Sequence, residues 1–465
     1  FQPRGIAAMG QSEKAAKNAP PRSHTGEALR HGVHASVRED TTPVRTHPWP
    51  QPGPRFEGRE LELLAEALRQ NTLSYVHGHM TQRLCARMSE LTGAAHVVAC
   101  SSGSAAIHVA LKACGVGPGD EVITAPVTDA GTIIGIIYEG AIPVFADVDP
   151  VNYNLTAETV AVRLTQRTRA VIAVHLAGCP ADIVPIAELC RNRGITLIED
   201  CAQSWAAQVN GQWVGTFGDM GCFSLNDYKH ISAGEGGLVI TNDERLHRTA
   251  ALAADKCYDR LTRARLMEFV APNYRISELQ SAVALAQLDR VEAIGARRHA
   301  LGQRLGNGLA ATDGLLPHEA PVGAYSTYWF YLIQLDRRFT ANDVEDFAKA
   351  MNREGIPGGR GYVRPVYLAY PYLIRQSAFH HSRWPFTQAV SPQPYAPGLC
   401  PVAESVFDRS YKFPLSEWLD DSDIDDVIRA AQKVSQRLLR RVADKPPSDG
   451  DLEGIRKSPG KVHEL

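Results

Sequence analysis

The chain has 465 residues, 44% of them hydrophobic, which is enough for a large core and, by length, for two or three domains. Its 49 basic and 51 acidic residues give a net charge of -2, so charge offers no case for nucleic acid or an anionic membrane surface as a partner. Nine scattered cysteines without a CxxC pair read as reduced core thiols of a cytoplasmic protein, no apolar run reaches the roughly 20 residues that span a bilayer, and there is no secretory signal.

Residues Phe1 to Pro54 are rich in Pro, Arg, His and Ser and are expected to form a disordered arm. Its last piece, PVRTHPWPQPGPRF (Pro43 to Phe56), holds Trp49 among prolines; it could lie extended over a neighbouring surface or be a mobile linker. Helices are expected over Arg59–Gln70 and about Thr81–Leu91. From His96 onward short apolar runs alternate with helical stretches, HVVAC, EVITAPV, IPVFADV, RAVIAVHL, TLIEDC, GCFSLN and LVITN being the strands. That alternation predicts an α/β fold with a mostly parallel sheet and ligands at the strand ends. After about Ala300 the pattern becomes a smaller α+β unit with strand-like STYWFYLIQLD and a helix near Asn342–Glu354. The expected division is therefore an arm over 1–54, a large domain over 55–300, a small one over 301–443 and a mobile tail over 444–465.

Several strand ends carry chemistry. The first strand runs into Ser102-Gly103-Ser104, which would open a helix whose free N–H groups and positive dipole end suit a phosphate; an ordinary serine cap is the bland alternative. APVTDAG ends in Asp129, a polar contact or, more simply, a cap. His175, at the end of an apolar strand, reads as a hydrogen-bonded core residue. TLIEDCAQS ends in Glu199, Asp200 and Gln203, and CFSLNDYKHISAGEGGLVITN puts Lys229 on a glycine-rich loop between two buried strands.

The pattern FSxxxxKxxxxGEGGxxxTND resembles the lysine loop of the DegT-type pyridoxal 5'-phosphate (PLP) aminotransferases. The resemblance covers roughly Phe56 to Ala443 and implies the type I PLP-dependent transferase fold, with Lys229 carrying the cofactor covalently. A sister group, the sugar dehydratases, has histidine in place of this lysine; Gly234, five positions after Lys229 rather than after His230, fixes the aminotransferase register. By the same similarity Ser102, Gly103, Ser104 and Ser224 hold the phosphate. Asp200, from the EDxAQ motif, sits beside the pyridine nitrogen and keeps it protonated, while Gln203 meets the ring's 3-oxygen. Asn273, in the NYR motif, would reach the phosphate bound by a second subunit, implying a homodimer with shared sites; a helix cap is its competing reading. Arg360, Tyr362 and Arg364 fall where relatives contact substrate, although loop arginines usually face solvent. The family's ring-stacking aromatic has no counterpart near Asp129 or Ala130.

The implied reaction moves an amino group from glutamate or glutamine to a keto-sugar, nucleotide-linked, or to a keto-cyclitol, as in amino-sugar or aminoglycoside-type antibiotic biosynthesis. Lys229 acts as base and acid. Arg360 and Arg364 speak for the nucleotide-linked acceptor; the PVRTHPWP arm resembles that of cyclitol enzymes. A PLP-dependent dehydratase or lyase, and a non-catalytic regulatory relative kept in play by APVTDAG, are the alternatives. A nicotinamide-binding reading of the glycine turns is poorer still, because GVGPG precedes a strand instead of opening a helix.

Overall fold

The computed structural model describes residues 42–389 and 394–443, and from Pro43 onward these belong to one compact unit. The expected tail over 444–465 and the arm up to residue 41 lie outside the described residues. All seven apolar runs become strands of a single sheet: β1 (His96–Cys100), β2 (Glu121–Thr124), β3 (Ile142–Phe145), β4 (Thr168–Val174), β5 (Thr196–Asp200), β6 (Met220–Ser224) and β7 (Gly237–Thr241). The spatial order is β1-β7-β6-β5-β4-β2-β3, and only β7 runs against its neighbours. Strands covered on both faces need apolar side chains at every position, which is why these stretches read as unbroken hydrophobic runs. β2, β3, β6 and β7 are buried at every residue.

Helices α1 (Glu60–Arg69), α2 (Met80–Thr92), α3 (Gly103–Ala113) and α4 (Ala130–Tyr138) supply part of the covering layers, α1 and α2 within one residue of the expected bounds. A second core lies under a four-stranded antiparallel sheet ordered Leu315–Leu316, Tyr331–Leu335, Ser410–Phe413, Gly359–Arg360. The helices Val291–Leu309, Ala341–Arg353 and Asp421–Ala443 pack on it, and the first of these runs straight through the expected boundary at residue 300. All nine cysteines are free thiols and eight are buried.

Of the two readings of the last piece of the arm, extended over a neighbouring surface or a mobile linker, Pro43–Trp49 follows the first: the Arg45 guanidinium, with 2% of its side chain exposed, meets Asp423 at 2.7 Å and Asp426 at 3.0 Å. Trp49 lies edge-on to Phe413 at 5.7 Å, and the Val44 N–H donates to Glu354 Oε2 at 2.9 Å. Composition made this stretch look featureless. Its order comes from partners more than 300 positions away, which no local pattern records.

Candidate functional site

The lysine loop joins two hydrogen-bonded strands, so both its ends are fixed: Ser224 closes β6 directly opposite Gly237, where β7 begins. Within the loop the Lys229 N–H donates to the Asn226 carbonyl at 3.0 Å, and Ser232 Oγ donates to Asp227 Oδ1 at 3.0 Å. Gly237 is required by packing, since a Cβ there would lie 2.2 Å from the Ser102 carbonyl oxygen. β7 thus touches the turn entering α3. From the other side the Arg55 guanidinium, at the end of the docked arm, donates to the carbonyls of Asp227 and Lys229. The Lys229 ammonium stands 4.1 Å over the Trp329 ring, whose Nε1 donates to the Tyr228 carbonyl at 2.6 Å. Burial holds the Lys229 pKa below its ordinary value, against the pull of Asp200 and Asp129.

Asp200 ends β5 and is almost wholly buried. Its Oδ2 accepts from Thr132 Oγ1 at 2.8 Å and its Oδ1 from the Ala202 N–H at 3.1 Å. Burial raises the carboxyl's pKa, while Thr132, the Ala202 amide and the Lys229 charge pull it back. Thr132 is set by α4, whose N-cap is Asp129, accepting from the Gly131 N–H at 2.9 Å; the cap reading of Asp129 therefore holds. Gln203 Oε1 accepts from the Ala177 N–H at 2.9 Å, leaving its amide nitrogen to donate to the Tyr362 hydroxyl at 3.3 Å. His175 is a core residue, hydrogen-bonded to Glu199 at 3.0 Å and to the Ala181 N–H at 3.0 Å.

At the start of α3 the Ser102 hydroxyl accepts from the Ala105 N–H at 3.1 Å, a true N-cap. First-turn N–H groups have no partner within a helix, so those of Gly103 and Ser104 remain for an anion. A Cβ on Gly103 would lie 2.6 Å from Ser224 Cβ, so only glycine lets β6 come this close.

These elements enclose a cavity of about 550 Å³ at the carboxyl ends of β5 and β6. Ser102, Gly103, Ser104, Asp200, Gln203, Ser224, Lys229 and Tyr362, all named from sequence, line it together. An anion-binding helix start, a buried carboxylate and a buried amine in one cavity suit a group with a phosphate, a protonatable ring nitrogen and an aldehyde, so the residues fit PLP. Three sequence candidates are not in its wall. Arg360 pairs with Asp408, and both Arg360 and Arg364 stack over Phe407, at 5.2 and 5.3 Å. Asn273 is exposed, its side-chain oxygen accepting from the Arg275 N–H at 3.4 Å. The helix-cap reading of Asn273 is overturned, because the helix Glu278–Leu288 is capped by Ser277 in a capping box with Gln280. Sequence reasoning missed Thr132, Trp329 and Lys412, which also line the cavity. A wider cavity of about 720 Å³ beside Pro150 and Arg409 holds none of the candidate residues.

The DegT/DnrJ/EryC1/StrS aminotransferase family matches residues 54–432. The chain is 34% identical to a UDP-N-acetyl-3-dehydro-alpha-D-glucosamine 3-aminotransferase of Acidithiobacillus ferrooxidans, over 76% of this chain and 87% of that protein. It is also 34% identical to the L-glutamine:2-deoxy-scyllo-inosose aminotransferase of Streptomyces kanamyceticus, over 86% and 96%. Among solved structures, the aminotransferase TlmJ from Streptoalloteichus hindustanus superposes with a TM-score of 0.69 at 30% identity, covering 84% of this chain and 98% of that one. 3-Amino-5-hydroxybenzoic acid synthase gives 0.73 at 26% identity, covering 85% and 100%.

Proposed function

We propose, from the premise that this chain belongs to the DegT/DnrJ/EryC1/StrS aminotransferase family, that it transfers the amino group of L-glutamine to an uncharged keto-cyclitol or closely related polyol ketone. The chain is an aminotransferase of the sugar and cyclitol class. The observation carrying the finer reading is the charge inventory of the cavity, whose wall contains, among the described residues of one chain, two cations, Lys229 and Lys412. A nucleotide diphosphate would call for a cluster of basic groups, and Arg360 and Arg364 are turned to Asp408 and Phe407 instead. The cyclitol enzyme's match, which spans 86% of this chain against 76% for the UDP-sugar enzyme, supports the same choice.

PLP is the proposed cofactor, and when bound it supplies an aldehyde for covalent attachment and a ring that draws electrons from the bond being broken. The chain's own residues do the rest. Gly103, Ser104 and Ser224 hold the phosphate, Asp200 keeps the ring nitrogen protonated, and Gln203 fixes the ring's oxygen side. Lys229 Nζ, lowered in pKa by burial, would take the proton from the donor's Cα and return it to the carbon on the other side of the transferred nitrogen. Asn273 is proposed to complete the site of a second subunit in a homodimer, which accounts for its exposed position in one chain. The two cores are read as a large domain and a small one, the small one reaching the cavity through Lys412 on its sheet. No helix among the described residues is long and apolar enough to cross a membrane, and nine free thiols support a reducing, cytoplasmic location.

The test is an absorbance spectrum of the PLP-loaded protein before and after L-glutamine, with Lys229→Ala as control, followed by a keto-cyclitol or a nucleotide-linked keto-sugar. Conversion by glutamine in the wild type alone, with amination of the cyclitol, is the expected result. Amination of the nucleotide sugar alone would overturn the acceptor. A spectrum unmoved by any amino donor would overturn the transamination reading.

A further inference from the structure

We propose that Lys412 is the residue that binds the α-carboxylate of the amino donor. This inference rests on the transamination reading above and deepens it, naming the group that recognises the donor as an amino acid.

Lys412 sits on the strand Ser410–Phe413, paired there with Leu332 on one side and Gly359 on the other. Its ammonium reaches the same cavity as Lys229, 5.2 Å from the Phe330 ring and 5.5 Å from the Tyr362 ring. Among the described residues it has no hydrogen bond and no carboxylate partner. Aromatic faces attract an ammonium weakly and do not replace the anion or water it has given up. Burial accordingly pushes its pKa down. A half-buried cation aimed into a reaction cavity without a counter-ion is suited to an anion that arrives with the ligand.

The geometry narrows which anion. Tyr362 lies between the cations: its ring is 5.9 Å from Trp329, which Lys229 faces, and its hydroxyl receives the Gln203 amide. Lys412 and Lys229 thus line one cavity, linked through the rings of Tyr362 and Trp329, and the phosphate turn at Ser102–Ser104 lines it too. An amino acid whose amine reaches Lys229 carries its carboxylate one carbon away from the reacting nitrogen. With the acceptor uncharged, that carboxylate is the one anion, besides the cofactor's phosphate, that the cavity must accommodate, and it is there in the donor half-reaction.

The test uses the PLP-loaded full chain and two ligands that cannot react: 4-carbamoylbutanoate, which is glutamine without its amino group, and glutaramide, in which a carboxamide replaces the carboxylate. Binding is measured by calorimetry for the wild type, Lys412→Met and Lys412→Arg. Methionine keeps the side-chain length on the strand, and cofactor uptake and melting temperature establish that the variants are folded. Loss of one charge-assisted contact predicts binding of the carboxylate roughly 10- to 100-fold weaker in Lys412→Met, partial retention in Lys412→Arg, and glutaramide binding unchanged. The L-glutamine concentration that half-converts the spectrum should rise by the same factor while the saturated rate stays within a few-fold. Equal carboxylate binding by wild type and Lys412→Met would overturn the proposal. So would a variant that keeps the carboxylate but loses a nucleoside diphosphate, which would assign Lys412 to the acceptor. Absence of any donor half-reaction in the wild type would instead strike the transamination reading, whatever the calorimetry gives.

Discussion

Replacing Thr132 by valine removes one hydroxyl while keeping the side chain's shape, and the structure says what that hydroxyl does. It donates to Asp200 Oδ2 at 2.8 Å inside a buried site, with Thr128 Oγ1 another 2.7 Å away. A hydrogen bond to a charged group contributes about 1.5–3 kcal/mol, so the ionised carboxylate should lose that much support. If Asp200 sustains the ring nitrogen's proton, the donor half-reaction should slow by roughly 10- to 150-fold, at about 1.4 kcal/mol per factor of ten. The carboxyl's pKa should rise further, shifting the acid limb of the pH–rate profile upward. Stopped-flow absorbance across the pH range measures both. The decisive control is the double variant with Asp200→Asn: because the hydroxyl acts through the carboxylate, Thr132→Val should cost little more once the charge is gone. A half-reaction in Thr132→Val as fast as the wild type's, or the same loss in the Asp200→Asn background, would refute the chain of reasoning from Thr132 through Asp200.

Other expectations follow from single features of the structure. Arg45→Ala leaves Asp423 buried without a cation and Asp426 with only Arg429, and should destabilise the fold by about 3–5 kcal/mol in urea unfolding; a change under about 1 kcal/mol would mean that Trp49 and the bonds to Glu354 hold the docked arm. Gly237→Ala would force its Cβ to within 2.2 Å of the Ser102 carbonyl, so β7 and the phosphate turn should separate, and PLP retention on dialysis should fall while Gly117→Ala, with open space around it and no positive φ, leaves the packing intact. In the cofactor-free protein Asp200 binds its proton more tightly folded than unfolded, so its ionisation removes stability as pH rises from about 4, the ordinary carboxylate value. Asp200→Asn, compared in a Lys229→Met background that removes the lysine's own titration, should therefore raise the apoprotein's melting temperature by an amount that grows with pH and then levels off. An advantage that shrinks with rising pH would contradict the burial argument.

What the sequence made legible follows from how local each cause is. The seven strands were readable because a sheet covered on both faces imposes continuous apolar runs, and β6, the lysine loop and β7 were readable because the lysine and its glycines keep a fixed spacing within one short stretch. Asp200 and Ser224 could be named because each falls in a motif that resembles the family's, and both lie at strand ends, where the fold sends side chains to the site. Thr132 was harder: its role depends on α4 meeting β5 across 68 positions, although a threonine one turn after Thr128 just past a strand end was the available signal. Trp329, Tyr362 and Lys412 come from three separate segments of the second half of the chain, and only the packing of the antiparallel sheet beside the large one brings them to Lys229. Tyr362 was named for its neighbourhood, and so were Arg360 and Arg364, yet only the tyrosine lines the cavity. Both arginines stand against Phe407, and Asp408 neutralises one of them, an arrangement that residue type and spacing do not encode. The same point applies to the arm: a Pro-rich composition describes what a segment lacks, whereas the buried Arg45 and Trp49 depend on the carboxylates and the ring that wait for them on the folded surface.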